Sequence, residues 1–287
     1  MNILIVQENG RKSINRHMRE CYSLEHWLNK EEGVSAVCWG KGHENFSTPF
    51  PDIAAQHDVI LCLENYNNGW LPDMSKTKCY KAFWSIDSHC ELKAHIKFCS
   101  ESKVNLHLNA TKGYLKHFSP HCETVAWFPN AADTRWFKKT SAKKSNDIGF
   151  VGSMIADRPQ LIPFLEKTVG LKSYSNVLGE DMVELLNSFK ISFNKCISDD
   201  INYRIFESTA CGLPLITNKV PDLEHLFVLD EDIAIYSNVK EMLGVCLWLL
   251  KDETARDQIA ENGYKRTLEN HTYKHRAHLL KEILSNA

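Results

Sequence analysis

No apolar run in this 287-residue sequence approaches the ~20 residues that a membrane-spanning helix needs. The opening stretch Met1-Asn2-Ile3-Leu4-Ile5-Val6 stops being apolar at Gln7-Glu8, too soon for the core of a secretory signal. The expectation is therefore a cytoplasmic protein, neither integral nor exported by that route. Strong net charge is also missing: the balance is -2, so nothing global points to a polyanionic partner. The ten cysteines form no Cys-x-x-Cys pair, and no His/Cys cluster has zinc spacing. Several lie inside apolar runs, as Cys62 does in Val59-Ile60-Leu61-Cys62-Leu63, which reads as buried reduced thiols rather than a disulfide framework. There is no internal repeat and no low-complexity tract. What remains, at 43% hydrophobic and 24% charged residues, is an ordinary globular composition in a chain long enough for two domains.

The pattern along the chain is an alternation. Ile3–Val6 reads as a buried strand, followed by helical spacing over Ser13–Asn29 through Ile14, Met18, Cys21, Leu24 and Leu28. Strands are expected at Val34–Trp39, Val59–Leu63, Tyr80–Ile86, Asn105–Leu108 and Glu123–Phe128. The polar run 138–146 breaks the periodicity and is the expected linker. Strands then recur at Ile148–Val151, Ile191–Asn194, Pro214–Thr217 and Ile233–Tyr236. Helices are expected at Leu161–Val169, Met182–Ser188, Arg204–Ala210, Val239–Leu250 and Glu253–Asn262, the last stopped by Gly263, and a final amphipathic helix at His271–Leu284. Strands alternating with helices predict α/β, doubly wound parallel sheets. The expected division is 1–137, the linker 138–146, 147–268 and a closing helix in 269–287, with a cleft between two Rossmann-like domains and ligands beyond the carboxyl ends of the strands.

Charge is uneven. Residues 1–144 hold 19 Lys and Arg against 15 Asp and Glu, and residues 145–287 hold 15 against 21. Within the first half, residues 93–121 carry Lys93, Lys97, Lys103, Lys112 and Lys116 with His95, His107, His117 and His121, against Glu101 alone, and with Phe98, Tyr114 and Phe118 interleaved. This suits a phosphate-rich partner such as DNA, or else is a solvated helix face.

The most informative stretch runs from Asp199 to Thr217: a polar loop, a helix start and a turn at Gly212-Leu213-Pro214 into a strand. A helix start offers free backbone N–H groups and a positive dipole end to a diphosphate. Arg204 can add a charged fork to phosphate oxygens, and Glu207, one turn on, can accept two ribose hydroxyls. The residues alone equally allow Arg204 and Glu207 to form a surface ion pair at i,i+3.

This stretch resembles the donor-site motif of retaining GT-B glycosyltransferases of the family 4 type, most closely the CgeB-like group named after a spore-coat glycosyltransferase. The resemblance implies two acidic residues with seven positions between them, the first near the transferred sugar and the second on the nucleotide ribose. Asp199 and Glu207 have that spacing, with Asp199 in place of the usual Glu, so Asp200 or Asn202 are alternatives for its task. Asn202 and Tyr203 would join the donor site at the helix start. Ile148-Gly149-Phe150-Val151-Gly152-Ser153 with Arg158 is similar to the strand and glycine turn that open the group's second domain, which implies Gly152 and Ser153 beside the donor and Arg158 on its phosphates. Trp84-Ser85-Ile86-Asp87-Ser88-His89 is similar to a strand-end motif facing the cleft, so that Asp87 or His89 could deprotonate or orient an acceptor hydroxyl, or else cap and pack the next helix. Trp127–Asp133 resembles the segment before the linker, and Asn262-Gly263 with His271–Arg276 the carboxyl end, where the last helix crosses back to the first domain and His271 and Tyr273 pack.

The resemblance implies a GT-B glycosyltransferase moving a sugar from a nucleotide-diphosphate donor, UDP-sugar first among them, with retention, no metal and no further cofactor. Asp230-Glu231-Asp232 has a metal-binding Asp-x-Asp form but lies after the donor motif and reads as an ordinary acidic loop. The acceptor is open. The compact chain suits a phage-encoded enzyme acting in the host cytoplasm on a hydroxymethylated base in DNA; a protein, surface glycan or small molecule is the alternative. Two rivals are a catalytically silent structural or coat protein and a sugar-nucleotide epimerase or hydrolase.

Overall fold

A computed structural model describes residues 1–286. The chain divides into two compact units, Met1–Pro129 with Tyr273–Ala287, and Asn130–Thr272. The first holds a six-stranded sheet made of β1 (Asn2–Val6), β2 (Ser35–Trp39), β3 (Val59–Leu63), β4 (Tyr80–Ser85), β5 (Leu106–Asn109) and β6 (Thr124–Trp127), in the order β2-β1-β3-β4-β5-β6. Every pairing is parallel. A parallel sheet needs cover on both faces, which is why Ile3–Val6 and Ile60–Leu63 run apolar without alternation and are buried throughout. The cover comes from α1 (Glu20–Leu28), α2 (Phe50–Ala54), α3 (Ser88–Ser102) and α4 (Leu115–Phe118).

The second unit carries β7 (Asn146–Val151), β8 (Lys172–Tyr174), β9 (Phe189–Phe193), β10 (Leu215–Asn218) and β11 (Ala234–Tyr236), all parallel in the order β11-β10-β9-β7-β8. Its helices are α5 (Arg158–Val169), α6 (Gly179–Asn187), α7 (Tyr203–Ala210), α8 (Val239–Lys251) and α9 (Glu253–Asn270). Helix α10 (Tyr273–Ser285) returns to the first unit and lies against α1, where His278 and Lys281 reach Glu31 at 3.2 and 3.5 Å. Buried Arg276 donates from Nε to the Pro129 carbonyl at 2.7 Å. In both sheets the strand order reverses beside the first strand, so the crossovers part between β1 and β3 and between β7 and β9. These are the topological switch points at which such sheets take ligands.

Four local expectations change. The first helical segment is broken: Ser13–Met18 is a 3-10 turn, and Arg19, with φ -68 and ψ 153, separates it from α1. Gly263 does not stop α9, which runs on to Asn270; a Cβ there would lie 2.4 Å from the Asp232 carbonyl, so the glycine permits close packing instead. The division falls after Pro129, and the polar run 138–146 is tied to the second unit by Thr140 N to Asn187 Oδ1 (3.0 Å) and Lys144 Nζ to Asn187 O (2.9 Å). Strand β8, three residues at a sheet edge, carries no periodicity that could announce it. No helix among the described residues is long and apolar enough to cross a membrane.

Candidate active site

The second unit's switch point is built from the turn after β7 and the loop after β9. Arg158, at the start of α5, ties them together. Its Nη1 donates to the Ser153 carbonyl and its Nε to the Lys195 carbonyl, both at 3.1 Å, and its guanidinium lies over the Phe150 ring. The side chain is buried, and burial pushes its pKa down. The charge expected to meet a phosphate is thus turned onto the two carbonyls that shape the turn at Gly152-Ser153, and Arg158 acts as its brace.

Beneath the β9 loop lies a buried polar network. Asn194 Nδ2 donates to Thr217 Oγ1 (3.0 Å), Asn194 Oδ1 accepts from Asn202 Nδ2 (3.2 Å), and the Cys196 amide donates to Asn218 Oδ1 (2.6 Å). Buried hydrogen bonds of this kind favour one loop conformation. It delivers Asn202 and Tyr203 to the start of α7. Asp199 is exposed on the turn where Ser198 takes φ 51, whereas Asp200 is buried. The helix ends as the Gly-Leu-Pro signature requires. Gly212, at φ 67, donates to Thr209 O and Leu213 N donates to Ser208 O, the paired bonds of a Schellman cap.

Arg204 and Glu207 do pair, Nη1 to Oε2 at 2.8 Å, but the pair is not a surface one: the two side chains are 14% and 13% exposed. Arg204 Nη2 also meets Met182 Sδ of α6 at 3.1 Å. Arg204 Nε is buried without a hydrogen-bond partner, and so is Asn202 Oδ1. An unsatisfied donor and acceptor beside one helix start are thus available to a polar ligand.

In the first unit, β4 ends in Asp87 and His89 at the start of α3. Asp87 is exposed and makes no side-chain capping bond to the helix, so capping does not account for it; His89 is half-buried. The residue that the sequence reading missed is Glu64, immediately after β3. Its Oε2 accepts from the amides of Ile86 and Asp87 at 2.7 and 2.8 Å and lies 3.6 Å from His95 Nε2. Burial, opposed by the Asp87 amide and reinforced by the Asp87 charge, pushes its carboxyl up to about 7. Burial pushes His95 down to about 4. The available signal was a carboxylate closing an unbroken apolar strand, Val59–Leu63 then Glu64.

The basic stretch 93–121 is not one surface. His95 and His107 are buried, His107 stacked on Phe118 and pushed down to about 3 by burial and by His95. Lys97 pairs with Glu101 along α3 at 3.8 Å. The acidic loop is likewise spoken for: Asp232 Oδ2 accepts from the Val228 amide and Arg266 Nε, and Asp230 Oδ1 from the Ile235 amide. His271 packs against Phe206 and Phe227 and meets the Leu226 carbonyl at 2.7 Å, as a packing residue should. The cavity of about 500 Å³ lined by His57, Asp58, Lys78 and Cys79 lies away from both switch points, at the amino ends of β3 and β4.

No curated protein matches the sequence. Solved structures match its fold over nearly the whole length. Sucrose-phosphate synthase from Thermosynechococcus elongatus is 9% identical, with a TM-score of 0.70 over 99% of this chain and 98% of that one. Anabaena HepE in complex with UDP and glucose is 10% identical, with 0.69 over the whole of both chains. An α-glucosyltransferase in complex with UDP and a 13-mer DNA containing an HMU base is 12% identical, with 0.66 over 99% of each. A family model described as glycosyl transferase-like matches residues 134–282, just over half the chain and nearly all of the second unit. With the two parallel sheets and the helix start after β9, that match settles the assignment: the chain belongs to the glycosyl transferase-like family and is a glycosyltransferase of the GT-B fold.

Proposed function

We propose that the chain moves a sugar from a UDP-sugar to an acceptor hydroxyl, with the donor held by the second unit at the β7/β9 switch point. The observation that carries this reading is the buried Arg204–Glu207 pair at the start of α7, with Arg204 Nε and Asn202 Oδ1 left unsatisfied beside it. Glu207 accepts the ribose hydroxyls. Arg204 and the α7 amides, with Asn202 and Tyr203 around them, receive the diphosphate. Gly152 and Ser153 line the sugar side, on a turn held in place by Arg158. The UDP complexes of HepE and of the DNA-bound α-glucosyltransferase support UDP as the nucleotide.

The acceptor oxygen attacks the anomeric carbon, the bond from that carbon to the diphosphate oxygen breaks, and UDP leaves with the electron pair. Arg204 and the helix-start dipole meet the developing charge, so the step is assigned no metal and no further cofactor. Attack on the face the diphosphate leaves gives retention, as in the family the sequence resembles. Asp87 or His89 of the first unit orients the acceptor hydroxyl or takes its proton. Asp199, or buried Asp200 in its stead, contacts the transferred sugar. A hydroxymethylated base in DNA is the acceptor that the HMU-DNA complex of the α-glucosyltransferase favours.

The test is a thermal shift with UDP, GDP and ADP, since a ligand that binds only the folded state raises its stability. UDP should raise Tm in the wild-type chain and not in Glu207→Ala. A shift by UDP of equal size in both would remove Glu207 from the donor site.

A further inference from the structure

The carboxyl edge of the first unit's sheet carries a basic rim to which the stretch 93–121 contributes Lys112 and the loops after β1 and β2 the rest. Between Glu8 and Glu20 the loop after β1 has no acidic residue and contains Arg11, Lys12, Arg16 and Arg19. Arg11, Lys12 and Arg16 are exposed, and among the described residues none of the three has an ion-pair partner. Exposed and likewise unpaired Lys41 follows β2, and Lys112 follows β5, 5.6 Å above the Trp127 ring. Three of the nearby carboxylates are committed, and Asp87 after β4 is exposed. Glu8 takes the Tyr66 amide at 2.7 Å, Glu20 takes Arg19 and Gln7, and Glu64 takes the two β4-end amides.

The rim is shaped, not merely charged. Gly10 has no room for a Cβ because Arg16 Cα would lie 2.9 Å from it, so the loop closes on itself. Arg11 and Arg19 both sit 4.2 Å from the centroid of the Tyr66 ring, which locks the loops after β1 and β3 to one another. The Asn9 amide donates to the Lys41 carbonyl at 2.8 Å and adds the loop after β2. From β2 to β5 there are four strand spacings, roughly 19 Å at ~4.8 Å each. A DNA strand carries one phosphate charge per ~3.4 Å of axis, so this rim matches a run of several phosphates and exceeds the reach of a single one.

We propose that the loop Gly10–Met18, extended by Lys41 and Lys112, is a DNA-backbone clamp that holds a nucleic-acid acceptor across the carboxyl edge of the first unit. The inference rests on the glycosyltransferase reading with a DNA acceptor and names the residues that hold that acceptor's backbone. Arg11, Lys12 and Arg16 make phosphate contacts, which set affinity and carry no base specificity.

The experiment compares wild-type chain, the triple variant Arg11→Gln/Lys12→Gln/Arg16→Gln and the control Lys93→Gln/Lys97→Gln on α3. Each is measured for binding of a short labelled DNA duplex between about 50 and 200 mM salt, and for its Tm shift with UDP. The proposal expects the triple variant to bind at least ten-fold more weakly, with the slope of log affinity against log salt lowered by ~2–3, since each lost phosphate contact removes ~0.9. The control should match wild type, and the UDP shift should persist in all three. Equal DNA affinity and slope in wild type and triple variant, or no DNA binding by wild type, overturns the clamp while a persisting UDP shift leaves the donor site standing. Binding to anionic lipid vesicles with none to the duplex overturns it as well. No UDP shift in any of the three overturns the glycosyltransferase donor assignment, and the acceptor role with it.

Discussion

Glu64 makes the stability of the first unit fall as pH rises through neutrality. Its carboxyl is 15% exposed and lies between the Ile86 and Asp87 amides, with His95, Glu20 and Asp87 as charged or titratable neighbours and Arg19 on its backbone carbonyl. His95 offers no compensating charge, because burial keeps it neutral down to about pH 4. The carboxyl titrates near 4.5 in an unfolded chain and at about 7 in the folded one. Between those values the folded state holds a proton that the unfolded state has lost, so folding is favoured at low pH and the gain disappears as pH passes 7. At ~1.4 kcal/mol for each pH unit between the two values, the effect is about 3 kcal/mol, most of it lost between pH 5 and 8. Urea unfolding at pH 5 and pH 8, on wild type and Glu64→Gln, isolates it, since the histidines contribute equally to both proteins. The variant should be close to wild type at pH 5 and more stable at pH 8 by about 2–3 kcal/mol. If the two proteins lose the same stability between those pH values, Glu64 is not a protonated buried acid and the reasoning fails.

Three further outcomes follow from individual contacts. Arg158→Met strands the Ser153 and Lys195 carbonyls and should lower stability by about 2–3 kcal/mol and abolish the UDP thermal shift; a fully folded variant with a normal shift would contradict the brace. Gly263→Ala drives a Cβ to within 2.4 Å of the Asp232 carbonyl and should cost roughly 1–3 kcal/mol, whereas Gly244→Ala in α8, with open space around it, should gain up to ~1 kcal/mol, both read from urea midpoints. His107 stays neutral in the fold to about pH 3 but binds a proton near 6.5 once unfolded, so its stability is complete above pH 6.5 and is lost as pH falls; His107→Leu should flatten the drop in Tm between pH 7 and 4.

Much of the architecture was legible because a parallel sheet buries whole strands. Ile3–Val6 and Val59–Leu63 could only be interior strands, and both lie inside the first sheet. The start of α7 was legible for a different reason. A polar loop, an apolar helix face and Gly212-Leu213-Pro214 specify a helix with two defined ends, and the Schellman bonds at Thr209 and Ser208 realise the second of them. Gly263 misled because the same residue type serves two needs. A glycine can end a helix through its left-handed conformation or let another backbone approach, and only the Asp232 carbonyl, distant in sequence, tells which need applies.

The side chains whose surroundings the sequence does not reveal share a physical cause. Arg158, His95, His107 and Glu64 are polar or titratable groups whose partners come from other strands, so their charge state and direction are tertiary properties. Arg158 looks like a phosphate ligand beside a glycine turn until the Lys195 carbonyl, 37 residues on, takes its donors. His95 and His107 look like part of a basic surface until burial neutralises them, and the opposite holds at Arg11, Lys12 and Arg16, which lie exposed between β1 and α1. A count of basic residues along the chain weighs both groups alike. Only exposure separates charge that water and a phosphate can reach from charge that folding removes, and here exposure moves the positive edge from α3 to the loop after β1, beside the switch point where the sheet would present a bound acceptor.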